Sequence, residues 1–172
     1  CMVVYSKKDR NRGYGILLIN EAEKEAKTQK IAGLCTMTSK GAWVANKTIF
    51  EKHGFTEVDA KGRFELLSNK WDNNASNPKL IDWTLQQKNY DGWHLVYADQ
   101  CPWHEKSVFD LLNTAMDYGI DLKLTKIETV EAAKNAPSGF GVFSLLHNGI
   151  LIEDHYISAT RFKNILKKEH KN

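Results

Sequence analysis

Two short stretches carry residue types whose spacing could do chemistry. Arg10-Asn11-Arg12-Gly13-Tyr14-Gly15 sets two guanidinium groups beside a Gly-x-Gly step. Between a strand and a helix, such a step meets first-turn N–H groups that have no internal partner and carry partial positive charge. Glycine lets the backbone approach an anion closely, so the stretch reads as a pyrophosphate cradle, with Arg10 and Arg12 adding charge-assisted contacts. The competing reading is an ordinary Gly-x-Gly turn before a helix. Cys101-Pro102-Trp103-His104 is the second stretch. A cysteine opening a helix after a strand has a more available thiolate. His104 stands where a second cysteine would be needed, so no intramolecular disulfide cycle can run there. Cys101 is otherwise simply a small residue at a helix start.

The elements that position these groups can be read from apolar periodicity. Met2 to Tyr5 is a short β-prone run, followed by a basic turn from Ser6 to Gly13. A helix is predicted from Gly13 or Tyr14, with Ile16, Leu17, Ile19, Ala22 and Ala26 on its apolar face. Ile31 to Thr38 reads as a strand, Trp43 to His53 as a helix stopped by Gly54, and Phe55–Val58 with Arg63–Leu67 as a hairpin around Asp59-Ala60-Lys61-Gly62. Ser68 to Lys79, rich in Asn, reads as a linker. Leu80 to Gln87 is a short helix or strand. Beyond it the pattern gives a strand at Trp93–Ala98, a helix from Cys101 to Tyr118, a strand at Asp121–Ile127 and a short helix at Thr129–Asn135 capped by Thr129. Strands at Phe140–Leu146 and Ile150–Tyr156 flank the hairpin signal Asn148-Gly149, and Ser158 caps a last amphipathic helix. The second block is therefore β-α-β-α-β-β-α.

Bulk properties exclude several classes. The 172 residues carry a formal charge of +3, too mild to argue for nucleic acid. No apolar run reaches the ~20 residues of a membrane span, and no signal-peptide pattern stands at the N-terminus. Cys1, Cys35 and Cys101 form neither a disulfide framework nor a metal motif, which favours a reducing, cytoplasmic setting. A Cys–His metal site drawn from Cys101, His104 and His94 is disfavoured, since His53, His147, His155 and His170 read as surface or turn residues; no metal is expected. The chain enters a strand directly after Cys1, which reads as truncation of a longer protein in preference to a start at Met2 behind an added residue.

A dinucleotide-binding unit would require GxGxxG and an acid after the next strand. Here Leu18 replaces the third glycine, and that strand ends in Thr36-Met37-Thr38-Ser39. Arg10, Gly13 and Gly15 instead match the signature Arg/Gln-x-x-Gly-x-Gly/Ala, and Phe50-Glu51-Lys52-His53-Gly54-Phe55 matches the "F-x-K-x-G-F" that closes a later helix. In these features Met2 to about Leu67 resembles the C-terminal half of a GNAT-family N-acetyltransferase. That family has a strand before the loop, then a long helix, a strand, a helix and a terminal hairpin.

The resemblance implies acetyl-CoA as co-substrate and an amine that attacks the thioester directly. It implies that Val3, Val4 and Tyr5 pair with the pantetheine arm, and that Arg10, Asn11, Arg12, Gly13, Tyr14 and Gly15 hold the pyrophosphate. Many members have a tyrosine as presumed acid where Phe50 stands, and often an asparagine where Trp43 stands. Tyr5, Tyr14 and Cys101 are what remain as catalytic candidates. "Y-A-D-Q-C-P-W" and "G-V-F-S-L-L-H-N-G" in the second block are similar to the YoaP-like acetyltransferases, whose C-terminal domain is thioredoxin-like. Pro137 lies about four residues early for that fold's cis-proline.

The expected fold is α/β: a partial GNAT fold over 1–68, a linker over 69–90 and a thioredoxin-like domain over 91–172. The expected function is acetyl transfer to a small-molecule or peptide amine, without nucleic acid or membrane, and compatible with a homodimer. The alternatives are a non-catalytic binding module built on the second domain, or a thiol-dependent redox protein using Cys101.

Overall fold

The computed structural model describes residues 8, 12–41 and 44–169. The chain is mixed α/β and divides into two compact units, Cys1–Leu80 and Ile81–Asn172.

In the first unit, α1 (Tyr14–Thr28) leads into β1 (Gly33–Ser39), a one-turn α2 (Thr48–Glu51), and the hairpin β2 (Thr56–Lys61) and β3 (Phe64–Lys70). All pairings are antiparallel, in the order β1-β3-β2. Ile19, Phe55 and Leu67 form a small core, with Leu34, Ile49 and Phe50 packed against it.

Three expectations are corrected here. The helix predicted over Trp43–His53 shrinks to Thr48–Glu51, with Trp43 outside the described residues. Asn46 Oδ1 accepts from both the Thr48 N–H (3.0 Å) and the Thr48 hydroxyl (2.7 Å), a local turn that competes with helix. The hairpin strands lengthen to meet at Gly62-Arg63, so Asp59 to Lys61 are strand rather than turn. β3 also runs through Ser68 to Lys70, because Ser68 pairs with Cys35 on one side and Thr56 on the other. Finally, only Ile19 and Ala26 of the predicted apolar face of α1 are buried; Ile16, Leu17 and Ala22 are exposed.

The second unit opens with α3 (Trp83–Gln87), where Asp82 caps Thr84. Then come β4 (Trp93–Tyr97), α4 (Pro102–Asp117), β5 (Leu122–Lys126), α5 (Val130–Lys134), β6 (Phe143–His147), β7 (Ile150–Glu153) and α6 (Ala159–Glu169). The sheet order is β5-β4-β6-β7, with β4 and β5 parallel and the rest antiparallel. Parallel neighbours need a crossover, and α4 supplies it. Trp93 and Leu95 alternate into the main core, where Leu111, Phe143, Phe162 and Leu166 meet them. The predicted caps are present: Thr129 Oγ1 accepts from the Ala132 N–H (3.1 Å) and Ser158 Oγ from the Arg161 N–H (3.3 Å). Asn148 and Gly149 both take positive φ (50° and 74°), as a tight hairpin turn requires. β6 and β7 are shorter than predicted, since Phe140–Val142 and Asp154–Tyr156 are irregular. Among the described residues no helix is long and apolar enough to cross a membrane.

Candidate functional site

The N-terminus of α1 is built for close approach. Gly13, its N-cap, sits at φ 79°, a left-handed conformation that side chains resist, and a Cβ there would meet nothing within 4 Å. No described side chain caps the helix, and no acidic residue stands in its first turn. The first-turn N–H groups of Tyr14, Gly15 and Ile16 therefore keep their partial positive charge for an anion. Arg12 is exposed, and its Nε donates to the Lys8 carbonyl at 2.8 Å, which folds the side chain along the loop. Tyr14 is 41% exposed. Val3, Val4, Tyr5, Arg10 and Asn11, the other candidates, lie outside the described residues.

Gly15 has a different role from Gly13. A Cβ on Gly15 would lie 2.7 Å from Ile49 Cδ1, so its lack of a side chain lets α1 approach α2. Beside that contact runs an apolar cleft of about 380 Å³ between α1, α2 and β1, lined by Leu18, Ala22, Leu34, Ile49, Phe50 and Phe55 among others. Phe50 and Phe55 meet edge to face at 5.6 Å, giving the cleft an aromatic wall. Phe50 thus packs as a core-facing ring and has no proton to give.

A charge cluster on the same unit was not read from the sequence. Lys47 Nζ lies 3.0 Å from Glu65, 3.1 Å from Glu57 and 4.0 Å from Glu51. The hydrogen bonds that Lys47 donates to Glu65 and then Glu57 raise its pKa above its ordinary 10.5. A lysine so held stays protonated, which makes it a poor nucleophile. Its partners come from α2, β2 and β3, and only the folded hairpin brings them together.

The second unit has its own concavity. Cys101 is the half-buried N-cap of α4, in extended backbone, with Pro102 at the first helical position. It lines a cleft of about 570 Å³ together with Tyr97, Asp99, Glu105, Phe109 and Lys126 among others. Asp99 follows β4 and Lys126 ends its parallel neighbour β5, and they form an ion pair that raises the Lys126 pKa. Sequence reading missed both, although the carboxyl ends of parallel strands are where α/β sheets place ligands. His104 is buried rather than beside solvent, with Nδ1 2.8 Å from the Ala98 carbonyl. A carbonyl only accepts, so Nδ1–H donates and the ring is fixed in place. Pro137 is buried, and among the described residues no peptide bond is cis. Nor do three or more His, Cys, Asp or Glu side chains gather there as a metal site.

Residues 121–164, which run from β5 into α6, match the YoaP-like family model. Over 161 residues, 91% of this chain, the sequence is 24% identical to "Uncharacterized N-acetyltransferase YoaP" of Bacillus subtilis (strain 168). The chain spans 64% of that relative's length. Both likenesses are to YoaP-type proteins, one of them named as an N-acetyltransferase.

Proposed function

We propose that the protein transfers an acetyl group from acetyl-CoA to a primary amine, with the first unit as the CoA-binding half of a GNAT-type domain. The observation that carries this reading is the open N-terminus of α1, with Gly13 at φ 79° and free space around it. Order along the chain supports it: loop, long helix, strand, short helix and hairpin follow in the sequence the family leads one to expect. The name of the similar relative points the same way.

In this reading the amides of Tyr14 and Gly15, with Arg10 and Arg12, hold the pyrophosphate, and Val3 to Tyr5 pair with the pantetheine arm. A neutral amine attacks the thioester carbonyl, the C–N bond forms, and the C–S bond breaks to release the CoA thiolate. The proton of the attacking amine passes to water or a base. Tyr5 and Tyr14 are the candidates to protonate the thiolate, because Phe50 cannot. The acceptor is a small-molecule or peptide amine, and a thioredoxin-like second unit follows the first.

The test is calorimetric titration of the full chain with acetyl-CoA, alongside Gly13→Glu. Micromolar binding that the variant abolishes supports the reading, and no binding at millimolar ligand overturns it. The cleft beside Cys101 favours one second reading, a binding module in which the second unit holds the ligand.

A further inference from the structure

The cleft beside Cys101 lies at the carboxyl ends of the parallel strands β4 and β5, where α/β sheets hold ligands. Its volume of about 570 Å³ is within the ~300–1,000 Å³ range of small-molecule pockets. The apolar side comes from α4: Val108 is buried, Leu112 half-buried, and the Phe109 ring is 66% exposed. Tyr97, the last residue of β4, adds a second ring. An apolar group that covers the Phe109 ring removes that surface from water, which favours binding.

The charges around the cleft do not balance. Of the described residues that line it, Asp99, Glu105 and Lys126 carry charge, and Asp99 pairs with Lys126. Glu105 has no ion-pair or hydrogen-bond partner among the described residues, and its neighbour Lys106 is held by Asp110 at 2.7 Å. The N-terminus of α4 offsets roughly half an elementary charge at most, so the carboxylate dominates. Glu105 and Phe109 stand four residues apart on α4, which puts carboxylate and ring on one face with Cβ atoms roughly 5–6 Å apart. A cation there meets an opposite charge and the negative face of a ring, whereas an anion meets an unpaired carboxylate. We propose that this cleft binds a primary amine with an apolar or aromatic body, its ammonium group at Glu105 and its body over Phe109 and Leu112. The site belongs to the second unit alone. It gives the binding-module reading a ligand class and is independent of where CoA binds.

The experiment is nuclear magnetic resonance titration of the full chain at neutral pH with phenethylamine, phenethyl alcohol and hydrocinnamate, repeated on Glu105→Gln. The three probes share an aromatic body and differ in the charge of the head group. The expected result is shift changes on the amides of Glu105 to Leu112 and on Lys126, with the amine bound most tightly. Glu105→Gln should weaken the amine by about two- to fivefold, the range for an exposed charge pair, and leave the alcohol unchanged. Added salt should narrow the same gap in the unsubstituted protein. Glu105 is exposed, so its substitution does not disturb the core, and the comparison of probes on the unsubstituted protein stands by itself. Equal affinity of amine and alcohol, tighter binding of hydrocinnamate, or a preference for the amine that Glu105→Gln keeps would each overturn the proposal. So would the absence of shifts at tens of millimolar amine. Amine binding in a protein that fails to bind acetyl-CoA supports this site while removing the acetyl-transfer reading.

Discussion

Gly15 and Ile49 touch across the α1–α2 contact so closely that a Cβ on Gly15 would stand 2.7 Å from Ile49 Cδ1. The two glycines of the Gly-x-Gly step therefore do separate work, Gly13 setting the entry to the helix and Gly15 its packing. Gly15→Ala gains up to ~1 kcal/mol of helix propensity but must displace a flexible methyl group, so its net effect on stability should stay within about 1 kcal/mol. Gly15→Val should cost roughly 1–3 kcal/mol. Ile49→Ala should relieve part of that cost, and a double-mutant cycle by urea denaturation would show the coupling. Strict additivity would mean that the contact does not matter.

Gly13 offers the opposite test. Nothing lies within 4 Å of its absent Cβ, so any cost of Gly13→Ala comes from backbone alone at φ 79°. A loss of about 1–2 kcal/mol is expected, smaller for Gly13→Asn because asparagine tolerates this region better. Urea midpoints of the two variants check the order, and equal losses would point to a contact instead.

Lys47 gives a pH-dependent expectation. Its pKa is raised above 10.5 on folding, chiefly by the hydrogen bonds it donates to Glu65 and Glu57. A raised lysine pKa contributes stability that is fully present below 10.5 and is lost as pH rises through the folded value. Lys47→Met should therefore destabilise at pH 7, leaving Glu51, Glu57 and Glu65 without their shared cation. The gap between variant and wild type should narrow above pH 10.5. A gap that stays constant through that range would show that the lysine contributes by packing of its stem.

His104 is expected to be structural. It is 3% exposed, with Nδ1–H donated to the Ala98 carbonyl and the ring among Phe140, Phe143 and Tyr156. His104→Ala removes a buried ring and leaves that carbonyl without its imidazole donor, which should cost roughly 2–4 kcal/mol. Thermal unfolding measures it. A loss of Cys101 thiol reactivity with unchanged stability would instead assign His104 to the thiol.

Much of the second unit was legible because its signals are local. Alternation in Trp93-His94-Leu95, the Thr129 and Ser158 caps and the Asn148-Gly149 turn each fix their element with nearby residues. The first unit was less so. The apolar residues of α1 gave a correct helix but too wide a face, because Ile19 and Ala26 are buried while Ile16, Leu17 and Ala22 stay exposed, which spacing alone does not show. α2 was overextended because Asn46 diverts Thr48 into a side-chain turn that periodicity does not register. At the candidate site, the glycine motif was visible in sequence, while the cleft was not. Leu34 in β1, Ile49 in α2 and Phe55 just before β2 share a cavity only once β1, α2 and the hairpin have assembled.

The central claim is that the N-terminus of α1 holds the anionic end of CoA. Amide-resolved nuclear magnetic resonance during titration with acetyl-CoA tests it most directly. The expected result is that the largest shift changes fall on the Tyr14, Gly15 and Ile16 N–H groups, with smaller ones along the Leu34–Thr36 wall. Changes concentrated instead on Cys101, Trp103 and Lys126, or no changes at millimolar ligand, would contradict it.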